Sequence, residues 1–302
     1  MNQPFPSQVD IREVSLRDGL QIEKPIPLSA KLELLAAVAA TGVREVEATA
    51  FVSPSKVPSM ADAAELAAEL HNYPDIEFSA LVASPNGAKR AVAAGLRSIE
   101  YVVSASDAFS RANVGRTSAE ATGQIDEIVA IAHDSDVTVE VIVATAWDCP
   151  FEGATAPRRV LDIAAVARDR GVDRFSIADT IGTTTPRRVS SLISQLRPVI
   201  GDMALGGHFH NTRGAGLASA YAAVSSGVTR LDASVGGLGG CPFAPAATGN
   251  IATEDLVYLL HDSDIEVDID LRAAIAAAEV AKSVVGHDLP SALLRAGDRI
   301  RA

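Results

Sequence analysis

The stretch Val137–Thr180, VTVEVIVATAWDCPFEGATAPRRVLDIAAVARDRGVDRFSIADT, decides the fold. It opens on a β-branched run, Val137–Thr145, in which Glu140 is the one charged residue. Such a run fits a strand covered on both faces. Pro157 then suits a first helical position, where its fixed φ and missing N–H are tolerated. Arg158–Arg170 follows with apolar residues at helical spacing, until Gly171 stops it. A second β-rich run, Asp173–Ala178, begins at once and ends in Asp179-Thr180. Strand, helix and strand in this order make a parallel pair with a right-handed crossover.

Outward from this unit the same texture repeats. Further strands are predicted at Val9–Leu16, Val43–Ala48, Ile76–Val82, Ser98–Ser104, Ala204–His210 and Arg230–Val235, so that the chain holds eight, starting about 32 residues apart. Between them helices are predicted at Ala30–Thr41 (capped by Ser29), Ala61–His71, Asn86–Ala94, Ser118–His133, Arg187–Leu196 behind Pro186, and Gly214–Ser226. The junction of helix, glycine and strand recurs at Gly42, Gly95, Gly171 and Gly227. Eight such units fit an α/β fold, a closed (β/α)₈ TIM barrel. An open doubly wound sheet is the competitor, but no G-x-G-x-x-G follows the first strand. Thr253–His261, Leu271–Val285 and Leu289–Ala296 are predicted as helices added after the barrel. No low-complexity linker divides the 302 residues, so a single domain is expected, with the barrel over about 9–260 and a helical extension over 261–302.

Composition bounds the function. The net charge of −12 argues against a general nucleic-acid surface and against docking on anionic lipid. It leaves room for a small anionic ligand at a locally positive site. Two cysteines, Cys149 and Cys241, imply no disulfide framework and a reducing compartment. No apolar run approaches a membrane span, and MNQPFPSQVD lacks the regions of a signal peptide, so a cytoplasmic protein is expected.

In a barrel of this kind the C-terminal ends of the strands carry the chemistry. The first strand ends in Arg17-Asp18-Gly19, and the second carries Glu47. The seventh ends in His208-Phe209-His210-Asn211, and GGLGGCP (Gly236–Pro242) and Gly249-Asn250 follow the eighth. His208 and His210, two apart on a strand, share one face. With Asp18 as a carboxylate and Asn250 as an amide oxygen they make a candidate set for a divalent cation, Mg²⁺ or Mn²⁺ first, Zn²⁺ or Co²⁺ as alternatives. Arg17 is either salt-bridged to Glu47 or Asp18, or a fixed cation facing a developing oxyanion. Cys241 stands in a glycine-dense loop that can approach a ligand closely; a small buried hydrophobe is the other reading. Cys149 reads as structural, and His71, His133, His261 and His287 as surface or helix-end residues.

At these residues the chain resembles the hydroxymethylglutaryl-CoA lyase family, within a larger group of metal-dependent barrel enzymes that make or cleave C–C bonds beside an acyl-CoA or pyruvate unit. The resemblance rests on EVSLRDGLQIEKP (Glu13–Pro25), EVEATAFVSPSKVPSMAD (Glu45–Asp62), DCPFEG (Asp148–Gly153), ADTIG (Ala178–Gly182), HFHNTRG (His208–Gly214) and GGLGGCPFAPAATGNIATEDLVYLL (Gly236–Leu260), in order along nearly the whole chain. It implies a lyase that splits a 3-hydroxy-3-methylglutaryl-CoA-like 3-hydroxyacyl-CoA by retro-Claisen cleavage to acetyl-CoA and a keto acid. It implies Asp18, His208, His210 and Asn250 as metal ligands, Arg17 as the group that stabilises the enolate, and Glu47 as its orienting partner. Cys241 is implied in proton transfer and Lys24 as a contact for CoA phosphates. The base for the hydroxyl proton stays open among Asp18, His208 and a water at the metal. A homodimer or higher homo-oligomer is expected.

Ile22, Asn211, Arg213 and Ala215 depart from the family pattern beside the pocket and bear on which acyl group is taken. Arg213 has two readings, a contact for a substrate carboxylate or a solvent-facing residue. The alternatives are a Claisen-type synthase or a metal-dependent hydroxy-oxoacid aldolase on the same barrel, and a non-catalytic barrel that binds acyl-CoA or metal. The H-x-H-N pattern is shared with synthases; the G-L-G-G-C-P loop favours the lyase.

Overall fold

The computed structural model describes residues 5–240 and 249–299. Eight parallel strands close into a barrel: β1 (Asp10–Glu13), β2 (Glu45–Phe51), β3 (Glu77–Val82), β4 (Ser98–Ser104), β5 (Thr138–Ala144), β6 (Arg174–Asp179), β7 (Ala204–Phe209) and β8 (Arg230–Ala233). Each pairs with its neighbour in sequence, and β1 closes on β8 with Arg12 opposite Asp232. The helices form the outer layer. Pro157–Asp169 shows how: Val160, Ile163, Ala164 and Ala167 are its buried stripe, at helical spacing. After β8, Leu271–Val285 lays Ala274, Ala277, Ala278 and Ala281 against the helix Leu28–Ala39 and the turn beyond β8. Among the described residues no helix is long and apolar enough to cross a membrane.

The α/β barrel and the added helices are as the sequence predicts; the local departures have local causes. Ser29 does not cap the first helix, which starts at Leu28 behind Pro27, whose φ of −65° already suits helix entry. Ser118–His133 is two helices, Ser118–Thr122 and Ile125–His133, because a capping box between Thr117 and Glu120 starts a short turn that Gly123 closes. Asp107–Val114 adds a helix, and Asp148–Cys149 with Gly153–Ala154 a small antiparallel hairpin. Leu289–Ala296 shrinks to Ala292–Ala296, since Ser291 accepts from Leu294 N–H and sets the start just after Pro290. The first strand ends at Glu13, three residues short of Leu16, and this departure builds the site.

Candidate active site

Were the first strand to continue, Arg17 and Asp18 would face opposite sides of it. Instead Ser15–Gly19 forms a buried π-helical turn. The widened backbone brings both side chains to the barrel mouth, a use to which such turns are often put. Arg17 Nη1 donates to Asp18 Oδ1 at 2.6 Å and to Gln21 Oε1 at 3.3 Å, and Nη2 pairs with Glu47 Oε2 at 2.6 Å. The Arg17 Nε–H is buried with no partner among the described residues. Glu47 comes from β2, whose ladder with β3 slips between Glu47 and Thr49, an irregularity that re-aims side chains.

His208 stands on β7 and His210 just past its end, while Phe209 between them is buried against Trp147. The two Nε2 atoms are 3.1 Å apart, and Asp18 Oδ2 lies 3.6 Å from His210 Nε2 and 4.0 Å from His208 Nε2. Asn250 Nδ2 donates to Asp18 Oδ2 at 2.8 Å, while its Oδ1 is buried without a partner among the described residues. The donor atoms of Asp18, His208 and His210 all lie within 4.8 Å of one another. This set fits a divalent cation: two imidazoles, a carboxylate and a free amide oxygen, hard to borderline in character.

Beneath the ligands these charges interlock across the barrel. Arg12 Nε and Nη2 hold both oxygens of Asp232 at 2.9 and 2.8 Å, and Nη1 meets Glu100 at 2.6 Å and Glu140 at 2.8 Å. Glu140 also accepts from Arg230 and Ser176. Gly206 makes room for this: a Cβ there would sit 2.1 Å from Ser176 Oγ. Burial resists ionisation of Asp18 and Asp232, but Arg17 beside the first and Arg12 beside the second hold both carboxyls well below the usual range. Burial, with Glu100 adding to it against Arg17, pushes Glu47 up to about 8.

The turn after β8 is held from beneath. Glu13 accepts from the Ser15 and Val235 amides and from Thr253, and Glu254 accepts from the Gly236 amide. Gly236 has φ +71°, and a Cβ there would lie 2.3 Å from Leu289 Cδ1, so glycine is required. Burial pushes Glu254 up to about 7.

A cavity of about 1070 Å³ opens above the ligands. Arg17, Asp18, His208 and His210 line it, as do Leu81, Val102 and Ile142, and Lys56, Arg90 and Arg116. Sequence reading missed the last three, which come from separate segments after β2, β3 and β4 with no local pattern to mark them. Lys24 is exposed and outside the lining. Cys241 lies outside the described residues, although Gly240 before it lines the cavity. Cys149 is buried, and its Sγ accepts from Ser106 Oγ. Arg213 is exposed and outside the cavity lining, which agrees with its solvent-facing reading, and it donates to the Ile181 and Gly182 carbonyls, tying the loop after β7 to the loop after β6. Asn211 Oδ1 accepts from the Gly216 amide at the start of the next helix, and Ile22 lies at the cavity edge.

Known proteins share this architecture. Residues 8–281 match the HMGL-like family model. The chain is 39% identical to (R)-citramalyl-CoA lyase of Chloroflexus aurantiacus, over 96% of this chain and 95% of that protein. It is also 39% identical to the hydroxymethylglutaryl-CoA lyase of Pseudomonas mevalonii, over 88% of each. A solved HMG-CoA lyase from Acinetobacter baumannii, in complex with coenzyme A and 3-methylmalate, superposes with a TM-score of 0.94 at 37% identity, covering 99% of this chain and 98% of that one. With a family model matched over residues 8–281 and relatives aligned nearly end to end, the chain belongs to the HMGL-like family.

Proposed function

We propose that the protein is a divalent-cation-dependent carbon–carbon lyase. It cleaves a 3-hydroxyacyl-CoA of the 3-hydroxy-3-methylglutaryl-CoA type between C2 and C3, giving acetyl-CoA and a keto acid. The observation that carries this reading is the convergence of Asp18, His208 and His210 within 4.8 Å, beside Arg17 in the lining of the cavity.

Asp18, His208, His210 and Asn250 Oδ1 would hold the cation, and Mg²⁺ or Mn²⁺ suits them best. When bound, it supplies Lewis acidity toward the substrate's hydroxyl and carboxylate oxygens. The hydroxyl proton passes to a base, with Asp18, His208 and a water at the site as the candidates, C2–C3 breaks, and the keto acid leaves an acetyl-CoA enolate behind. Arg17, fixed by Asp18 and Glu47 and lining the cavity, offers that enolate a positive charge. Cys241 is assigned the protonation of C2, since a thiol with an ordinary pKa of about 8.5 is a workable acid at neutral pH. Lys56, Arg90 and Arg116 give an acidic chain a local positive rim for the CoA phosphates.

The test is acetyl-CoA release by the purified protein from 3-hydroxy-3-methylglutaryl-CoA, citramalyl-CoA and longer-branched analogues. Release from at least one is expected, abolished by EDTA and restored by Mn²⁺; no release from any of them refutes the lyase. Cys241→Ala is expected to lower turnover by about 10²-fold or more with Mn²⁺ affinity unchanged. Wild-type turnover in that variant would remove Cys241 from the reaction.

A further inference from the structure

The charges beneath the ligand cluster converge on one imidazole. Asp232 Oδ2 lies 3.0 Å from His208 Nδ1, and Arg12 holds both oxygens of the same carboxylate. Arg12 is fixed in turn by Glu100 and Glu140, so residues of β1, β4, β5 and β8 lock a single carboxylate against the back of His208. An ionised carboxylate can only accept hydrogen bonds. The hydrogen between it and His208 therefore sits on Nδ1, and the Nε2 lone pair is left facing His210 and Asp18. His210 has no such support: its Nδ1 is buried with no partner among the described residues.

We propose that Asp232, held by Arg12, is a positioning residue of the cation site: it fixes the Nδ1–H tautomer and ring orientation of His208 and makes it the pre-organised one of the two imidazole ligands. The proposal rests on reading Asp18, His208 and His210 as a cation site. A carboxylate behind a ligating histidine sets its tautomer and raises its basicity, and losing it typically weakens metal binding 10- to 100-fold.

Asp232→Asn keeps the shape and removes the charge. Mn²⁺ titration followed by electron paramagnetic resonance should show Kd raised roughly 10- to 100-fold, with circular dichroism unchanged. His208→Ala is titrated in parallel. If that variant binds Mn²⁺ as the unsubstituted protein does, the cation reading fails, and this proposal with it. If His208→Ala weakens binding while folded Asp232→Asn stays within twofold of the unsubstituted protein, the positioning role alone is overturned. Nitrogen NMR of the ¹⁵N-histidine-labelled, metal-free protein, recorded at alkaline pH where the ring is neutral, decides the point even if Asp232→Asn does not fold. A dominant Nδ1–H form of His208 is expected, and a dominant Nε2–H form overturns the proposal.

Discussion

Arg17→Met is expected to lower kcat by about 10²- to 10³-fold while the protein binds Mn²⁺ at least as tightly as before. The first effect is that of a lost oxyanion donor: no charge remains to meet the enolate once C2–C3 has broken, and the barrier rises by several kcal/mol. Because the interaction forms only as that charge develops, kcat and kcat/KM should fall together. The second effect has the opposite sign to that of a collapsed site. Asp18 loses its cationic neighbour at 2.6 Å, so the potential at the ligands becomes more negative and attracts a cation more strongly. The fold should tolerate the change, because Glu47, already pushed up to about 8 by burial, takes a proton near neutrality rather than remain a bare buried charge. Steady-state kinetics and Mn²⁺ calorimetry on the one variant check both halves. A kcat within tenfold of the unsubstituted protein would assign the enolate to another group, and weakened Mn²⁺ binding would make Arg17 a structural prop.

The barrel is legible in the sequence because strands covered on both faces leave nearly unbroken apolar runs, and because a glycine stops four of the helices. Ser98–Ser104 is read to the residue, and Thr138–Ala144 to within one at each end. Arg17, Asp18, Glu47, His208, His210 and Asn250 are legible as polar residues at strand ends, and the structure brings all six together. Two things are not legible. Alternation along a strand puts Arg17 and Asp18 on opposite sides; only the π-helical turn joins them, and no composition rule announces it. The pedestal under His208 is the other. Arg12, Glu100, Glu140 and Asp232 each look like a break in an apolar strand. Their bonds join residues 88, 128 and 220 positions apart, beyond the reach of any local pattern.

Arg12→Met carries the largest expected loss of stability, about 3–5 kcal/mol, because it leaves Asp232, Glu100 and Glu140 buried without their shared cation. The pH dependence follows from the signs. In the unsubstituted protein burial resists ionisation of Asp232 and Glu140, but Arg12, joined at Glu140 by Arg230, outweighs it and holds both carboxyls below their unfolded values. That stabilisation is present above about pH 4 and is lost as pH falls through the folded values. In the variant Asp232 keeps its burial without Arg12, and its carboxyl rises above the unfolded value. Ionisation then opposes folding, by an amount that grows as pH rises from about 4. The difference in unfolding free energy between the two proteins, measured with urea, should therefore be larger at pH 8 than at pH 5. An equal or smaller difference at pH 8 would mean that these carboxylates are not ionised around Arg12. The variant also frees Asp232 from the grip that holds it against His208, so Mn²⁺ binding should weaken at temperatures where the protein is still fully folded. A plain structural cross-link at the bottom of a barrel would not do that, since removing it costs stability without reaching the ligands at the mouth.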